Sequence, residues 1–467
     1  MHLQSLCLPV LAGFFLGGVL PAQDFQQDIP LAGLGNGNPA RPFGIQIDPQ
    51  SGKLFVPLAG TFGANNDVVV VIDAATSTVT GTIPAGDFPE DVALVRDSAG
   101  NLLFGAVTNS SGDSVTIWDA ADAPLATIDL PGDFNFPFGI TPSEDGSRLL
   151  VGTVGGQGDV FAIDLAALSL DPAASFNLGP VACGRLRSLG GRVVVPTTRF
   201  NAAFDGSEGG MAAWNTTNAS LEWSRLFLER DGALVFPSSQ DMEVLPDGRL
   251  VVGGTSFGDR LYLLAQDGTL LRTLRLRTAG GDSHGLALSP DGKLLAVCDF
   301  AGSSLALVDM LNFRQIGRID LQSVGAGYDQ PNDAVFFGGR LFVSCQGSEF
   351  VVVFDNLPDP QPGPGYAGSL AVSNPSPAPG ESGTVTVTGP GKVVLLFSQD
   401  DLPGPFRGVE LDIGPAPRRV KAGSGSAALS FSIPSKSGLK GRAFFFQGVV
   451  DVKNNPRPTE PRVLIVQ

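Results

Sequence analysis

The sequence predicts an all-β protein, a seven-bladed β-propeller followed by a small β-sandwich. Three observations carry this reading. A glycine, a polar residue and an aliphatic run recur at Gly52, Gly100, Gly146, Gly191, Gly248, Gly292 and Gly339, with steps between 44 and 57 residues, the length of one four-stranded blade. Each unit holds short apolar stretches separated by Gly/Asp/Ser turns, and hardly any segment has the 3.6-residue periodicity of a helix.

The chain opens with "MHLQSLCLPVLAGFFLGGVLPA", whose apolar run from Leu6 to Leu20 is ended by Pro21. That run is too short to span a bilayer and reads as a secretory signal cut near Ala22, so residues 1–22 are expected to be removed. A secreted, periplasmic or cell-envelope protein is the expectation. No later segment is apolar for long enough to be a transmembrane helix. The propeller is expected over 23–356. Its last unit ends at Asn356 without a fourth strand, and Asp24 to Leu31 ("DFQQDIPL") has the apolar end that this slot needs. The N-terminal segment should therefore close the ring as the outer strand of blade seven.

Within a unit, a first strand such as "GLALS" meets a polar turn ("PDGK"), then a second strand ("LLAVCD"), a hairpin turn ("FAGSS") and a third strand ending in Asp or Asn ("LALVD"). The better-preserved units add a fourth strand ("FRQIGRIDL"). Aliphatic runs without alternation fit strands buried on both faces, and Gly and Asp fit turns of positive φ. The longest step follows Gly191, which places an insertion in unit four. Beyond it, "LPDPQPGPG" (357–365) reads as an extended Pro/Gly linker. Residues 366–467 carry proline-bounded strands such as "GTVTVTG" and "GRAFFFQGVVDV", the pattern of a small sandwich, and resemble bacterial immunoglobulin-like modules.

The stretches "SPDGKLLAVCDFAGSSLALVDMLNFRQIGRIDL" and "VVVVIDAATSTVTGTIPAGDFPEDVAL" resemble the YVTN-type repeats of exported bacterial propellers, over roughly residues 24–356. The resemblance implies the blade and the export, not a reaction.

A formal net charge of −16 disfavours nucleic acid and anionic membrane surfaces as partners, since both reward clusters of Lys and Arg. Past the leader, Cys183, Cys298 and Cys345 remain, an odd number, and Cys298 and Cys345 occupy equivalent positions on adjacent blades. Equivalent side chains do not face one another, so buried free thiols are expected. His284 is the one histidine past the leader, which excludes metal centres built on several imidazoles. Trp118 and Trp214 fall on the third-strand slot held elsewhere by Ile72, Ile163 and Val308, and are expected to pack in the core.

Alignment of the first strands gives two rings at one mouth of the central channel. The first holds Phe43, Glu90, Phe138, Cys183, Gln240, His284 and Asn332, and the second Gly44, Asp91, Gly139, Gly184, Asp241, Gly285 and Asp333. These residues either plug the channel or form a ligand site from Glu90, Asp91, Arg185, Gln240, Asp241, His284, Asn332 and Asp333. Convergent carboxylates need protons, a basic side chain or a hard cation, so Glu90, Asp241, Asn332 and Asp333 are the candidate ligands for calcium or magnesium. His284 is the weak candidate for a catalytic base, without a nucleophile motif beside it.

Two functions follow as expectations. One is an exported, monomeric, non-enzymatic binding or scaffold protein with a protein or small-molecule partner. The other is a metal-assisted hydrolase: "QPNDAVFF" around Asn332 resembles the Pro-Asn turn that supplies a metal ligand in gluconolactonase-like propellers, which implies a lactonase site in the funnel. Unit one departs from that pattern, reading Pro42-Phe43-Gly44 where the family has a glutamate.

Overall fold

A computed structural model describes residues 24–200, 207–226, 238–255, 260–278, 280–324 and 327–360, and beyond these chiefly the strands of the C-terminal region. The expected leader (1–22) and most of the 357–365 linker lie outside the described residues. Among the described residues, no helix is long and apolar enough to cross a membrane.

Seven separate antiparallel sheets follow one another along the chain, six with their strands in sequence order from the inside outward and the seventh completed by the N-terminal strand. The protein is thus an all-β, seven-bladed β-propeller. Blade two is representative: Pro89–Arg96, Leu102–Asn109, Ser114–Asp119 and Pro124–Asp129. Seven apolar clusters fill the seven seams between neighbouring blades; one, for example, joins Phe55, Val69 and Ile83 of blade one to Val92, Val107 and Trp118 of blade two. Because each sheet packs on both faces, its strands are continuous apolar runs rather than alternating ones.

The recurrent glycine has a local cause. All seven unit glycines have positive φ, between 68° and 88°, in the turn joining first and second strands, where a side chain would be strained. The acidic third-strand ends have another: Asp73, Asp119, Asp164 and Asp309 each accept backbone N–H groups of the following turn.

The N-terminal strand Asp24–Pro30 pairs antiparallel with Phe350–Asp355, the third strand of blade seven, and is that blade's outer strand. Ile29 enters the seam between blades seven and one, and Tyr328 donates a hydrogen bond to Asp28 at 2.7 Å.

Blades three and four depart from the regular unit. The fourth strand of blade three is only Ser169–Leu170, with Phe176–Asn177 pairing the other end of the third strand. In blade four the inner strand is broken into Ala182–Cys183 and Arg187–Leu189, and the next two strands lengthen to nine residues each (Arg192–Phe200, Ser207–Asn215), absorbing part of the expected insertion.

Trp118 is fully buried against Phe55, whereas Trp214 is half-buried, stacked on Phe176 of blade three at the irregular seam. The three cysteines are free and buried, and burial pushes the Cys183 thiol up to about 12. In the C-terminal region, Ser382–Ser398 is the long central strand of a six-stranded antiparallel sheet, beside a two-stranded ribbon of Gly404–Phe406 and Val409–Leu411.

Candidate functional site

The first strands bring the two aligned rings to one end of the channel, and the way they are joined explains their residue types. Where the second-ring residue is aspartate, its carboxylate reaches across the seam to a backbone N–H of the next blade. Asp91 Oδ2 accepts from Ile140 at 3.1 Å, Asp241 Oδ2 from Leu286 at 2.8 Å, and Asp333 Oδ2 from Ile45 at 3.1 Å. Where it is glycine, the neighbouring backbone comes too close for a side chain. A Cβ on Gly44 would lie 2.6 Å from the Glu90 carbonyl oxygen, and one on Gly285 would lie 2.5 Å from that of Asn332.

Arg185 sits in the third ring, where the other blades place Ile45, Val92, Ile140, Met242, Leu286 and Ala334. The broken inner strand of blade four carries it inward, and its side chain is only 4% exposed. Its guanidinium bridges three blades: Nε lies 3.4 Å from Asp91 Oδ1, and Nη1 lies 3.3 Å from Asp241 Oδ2 and 3.2 Å from Asp333 Oδ1. It also lies over the Phe138 ring at 5.8 Å. Arg187 adds a second, looser pair of contacts, at 3.6 Å to Asp241 and 3.8 Å to Glu243. The surrounding acids hold the Arg185 guanidinium firmly protonated, even though burial works against its charge.

Two arginines face five acids, Glu90, Asp91, Asp241, Glu243 and Asp333, and burial works against the charged form of four of them. Desolvation raises Glu90 to about 8, against a hydrogen bond from Ser110 and the charge of Arg185. It raises Asp333 and Glu243 each to about 7, and raises Asp91 as well. Glu90 is 7% exposed and its Oε2 has no hydrogen-bond partner among the described residues, consistent with a neutral carboxylic acid at pH 7. Beside it, Phe43 packs edge-on against Phe138 at 6.0 Å and against Phe88 at 6.4 Å, filling the mouth over blades one to three.

The other aligned residues lie around this centre. The Gln240 carbonyl accepts from the Arg185 N–H at 2.8 Å, tying blades four and five together. Asn332 is buried and donates through Nδ2 to Gln346 at 3.4 Å. His284 stacks on Phe300 at 4.4 Å, with Nε2 3.4 Å from Asp282, so its contacts are with its own blade. Of the four expected cation ligands, Asp241 and Asp333 have the Arg185 guanidinium between them, at 3.3 and 3.2 Å, while no hydrogen bond or ion pair joins Arg185 to Asn332. Among the described residues, no group of three or more His, Cys, Asp or Glu is disposed to hold a metal ion.

Arg187 and Phe88 belong to the cluster and were not anticipated from sequence. A signal for Phe88 exists: Arg41-Pro42, Phe88-Pro89, Phe136-Pro137 and Gln330-Pro331 each immediately precede a first-ring residue, and the residue before each proline has positive φ.

No family model matches the chain, and no curated protein matches it at a significant level. Solved structures do. Hydrazine synthase of Kuenenia stuttgartiensis aligns over 70% of this chain and 98% of its own, with 17% identity and a TM-score of 0.56. The Cps50 (Swd1) β-propeller domain of Myceliophteria thermophila aligns over 72% of this chain and all of its own, with 10% identity and a TM-score of 0.52. At such identities the likeness establishes the β-propeller fold alone.

Proposed function

We propose that the chain is an exported, non-catalytic binding or scaffold protein that presents the loop-bearing mouth face of its propeller to a protein or small-molecule partner. The observation that carries this reading is the state of the channel mouth. Its aspartates are already bound to backbone N–H groups and to Arg185, and Phe43 and Phe138 cover the adjoining space. Such a cluster joins blades instead of offering open coordination positions to a substrate. On the same face, Phe62 at a hairpin tip and Phe134 in the connection between blades two and three are 87% and 74% exposed. Export rests on the apolar leader, and the C-terminal domain is read as an immunoglobulin-like spacer or docking module.

The competing reading, a lactonase-type hydrolase, requires a hard cation among Glu90, Asp241, Asn332 and Asp333. Elemental analysis of the purified protein, with melting curves in calcium and in magnesium, separates the two. The binding reading expects no stoichiometric metal and a flat melting temperature. A rise that disappears in the double variant Asp241→Ala/Asp333→Ala, together with hydrolysis of gluconolactone, would overturn it.

A further inference from the structure

The irregularity of blades three and four leaves a cleft between them. Elsewhere a fourth strand of six or seven residues covers the blade edge, as Thr78–Pro84, Pro124–Asp129 and Arg314–Asp320 do. Blade three ends its outer strand at Leu170, and the chain turns through Asp171–Ser175 before Phe176 stacks flat on Trp214 of blade four, at 4.6 Å and 3°. The result is a cleft of about 350 Å³ between the two blades. That volume falls within the ~300–1,000 Å³ typical of small-molecule sites.

Its walls combine Trp214 with two acids, Glu144 and Asp145, and two bases, Arg148 and Arg192. All four charged groups are held in place. Glu144 accepts from the N–H groups of Gly190 and Gly191 at 2.8 and 2.7 Å, fastening the turn of blade four to that of blade three. Asp145 is bonded by Ser143 and Ser147, which lower it to about 2 and keep it ionised. Arg148 is tethered through Nε to Asp171 at 2.8 Å, and Arg192 is ion-paired with Glu222, its Nε lying 3.1 Å from Oε2.

This composition selects against charged ligands. An anion entering the cleft meets Glu144 and Asp145, and a cation meets the two arginines. A neutral polyhydroxylated ring offers donors to the carboxylates, acceptors to the guanidinium groups and an apolar C–H face to the Trp214 indole. We propose that the cleft between blades three and four is a binding site for a neutral sugar of one or two rings. The site lies at the far end of the first strands from the channel mouth, so it does not depend on the function assigned to that mouth.

The test is isothermal titration calorimetry of the full chain against glucose, galactose, N-acetylglucosamine, maltose, cellobiose and lactose, with glucuronate as the charged counterpart of glucose. At least one neutral sugar should bind, and glucuronate should bind more weakly than glucose. Trp214→Phe, which retains an aromatic ring against Phe176, should weaken the bound sugar by about fivefold, a change of ~1 kcal/mol. Glu144→Gln, which retains an acceptor for the blade-four turn, should weaken it as well; melting curves of both variants establish that they are folded. Absence of heat for every neutral sugar up to tens of millimolar overturns the proposal. So does binding that is unchanged in both folded variants, or a preference for glucuronate. None of these outcomes bears on the metal and melting measurements at the channel mouth.

Discussion

Replacement of Arg185 by alanine tests whether the channel mouth is a structural lattice. The guanidinium lies 3.2–3.4 Å from three carboxylates of blades two, five and seven. At these distances and an effective dielectric of 20, each attraction is worth about 5 kcal/mol, offset by a desolvation cost of several kcal/mol for the buried cation. Removing the cation also leaves Asp91, Asp241 and Asp333 facing one another in a site that water barely reaches. The expected loss is about 3–5 kcal/mol, a large part of a total stability of roughly 5–15 kcal/mol. Urea denaturation followed by tryptophan fluorescence at pH 5 and pH 8 provides the assay. Burial already raises Asp91 and Asp333 against the charge of Arg185, so without it these two bind protons more tightly still in the folded than in the unfolded chain, and the variant's deficit should be largest at pH 8 and shrink at pH 5. Arg185→Met, which keeps most of the volume, should behave like alanine, because lost charge and not lost packing is the cause. A deficit under about 1 kcal/mol, the range of an exposed ion pair, or one that does not change with pH, would refute the lattice.

Glu90, raised to about 8 from an ordinary 4.5, is protonated in the folded chain and ionised in the unfolded one between those values. Its contribution is therefore fully present below pH 4.5 and is lost as pH rises through 8. At pH 7 the cost is about 3 kcal/mol, so Glu90→Gln should stabilise the protein by that order at pH 7, leave it unchanged at pH 4 and flatten the pH profile of the urea midpoint. Gly285→Ala forces a Cβ to within 2.5 Å of the Asn332 carbonyl and should cost about 1–3 kcal/mol in the same assay, by overpacking the seam between blades six and seven. Ile29→Ala empties a buried position of the ring-closing strand, and a loss of about 2–5 kcal/mol in thermal or urea unfolding would show that this strand bears on the stability of the whole ring.

The repeating unit was legible in the sequence because its causes are local. The seven glycines occupy turns that require positive φ, and the third-strand aspartates bind N–H groups two or three residues ahead. Unbroken aliphatic runs record burial on both faces of every sheet, and the missing fourth strand of unit seven pointed to a partner at the other end of the chain. Simple alignment of the units also brought Glu90, Asp91, Asp241, Asn332 and Asp333 into common rings. Their number and charge followed from sequence, and so did the need for something to neutralise them.

What neutralises them was decided only by the tertiary structure. Arg185 differs from the residues in its ring by a local break in the inner strand of blade four, and its nearest acids are separated from it by long stretches of chain. The Asp241 contact spans 56 positions, and the strap from Asp333 to Ile45 spans 288. No turn preference or periodicity encodes such pairings, because they depend on how the seven blades close and on which side chains then share a channel too dry to leave charge unpaired. The cleft between blades three and four has the same origin. Its residues come from turns of two blades and a third-strand tryptophan, and they meet where the outer strand of blade three stops at Leu170.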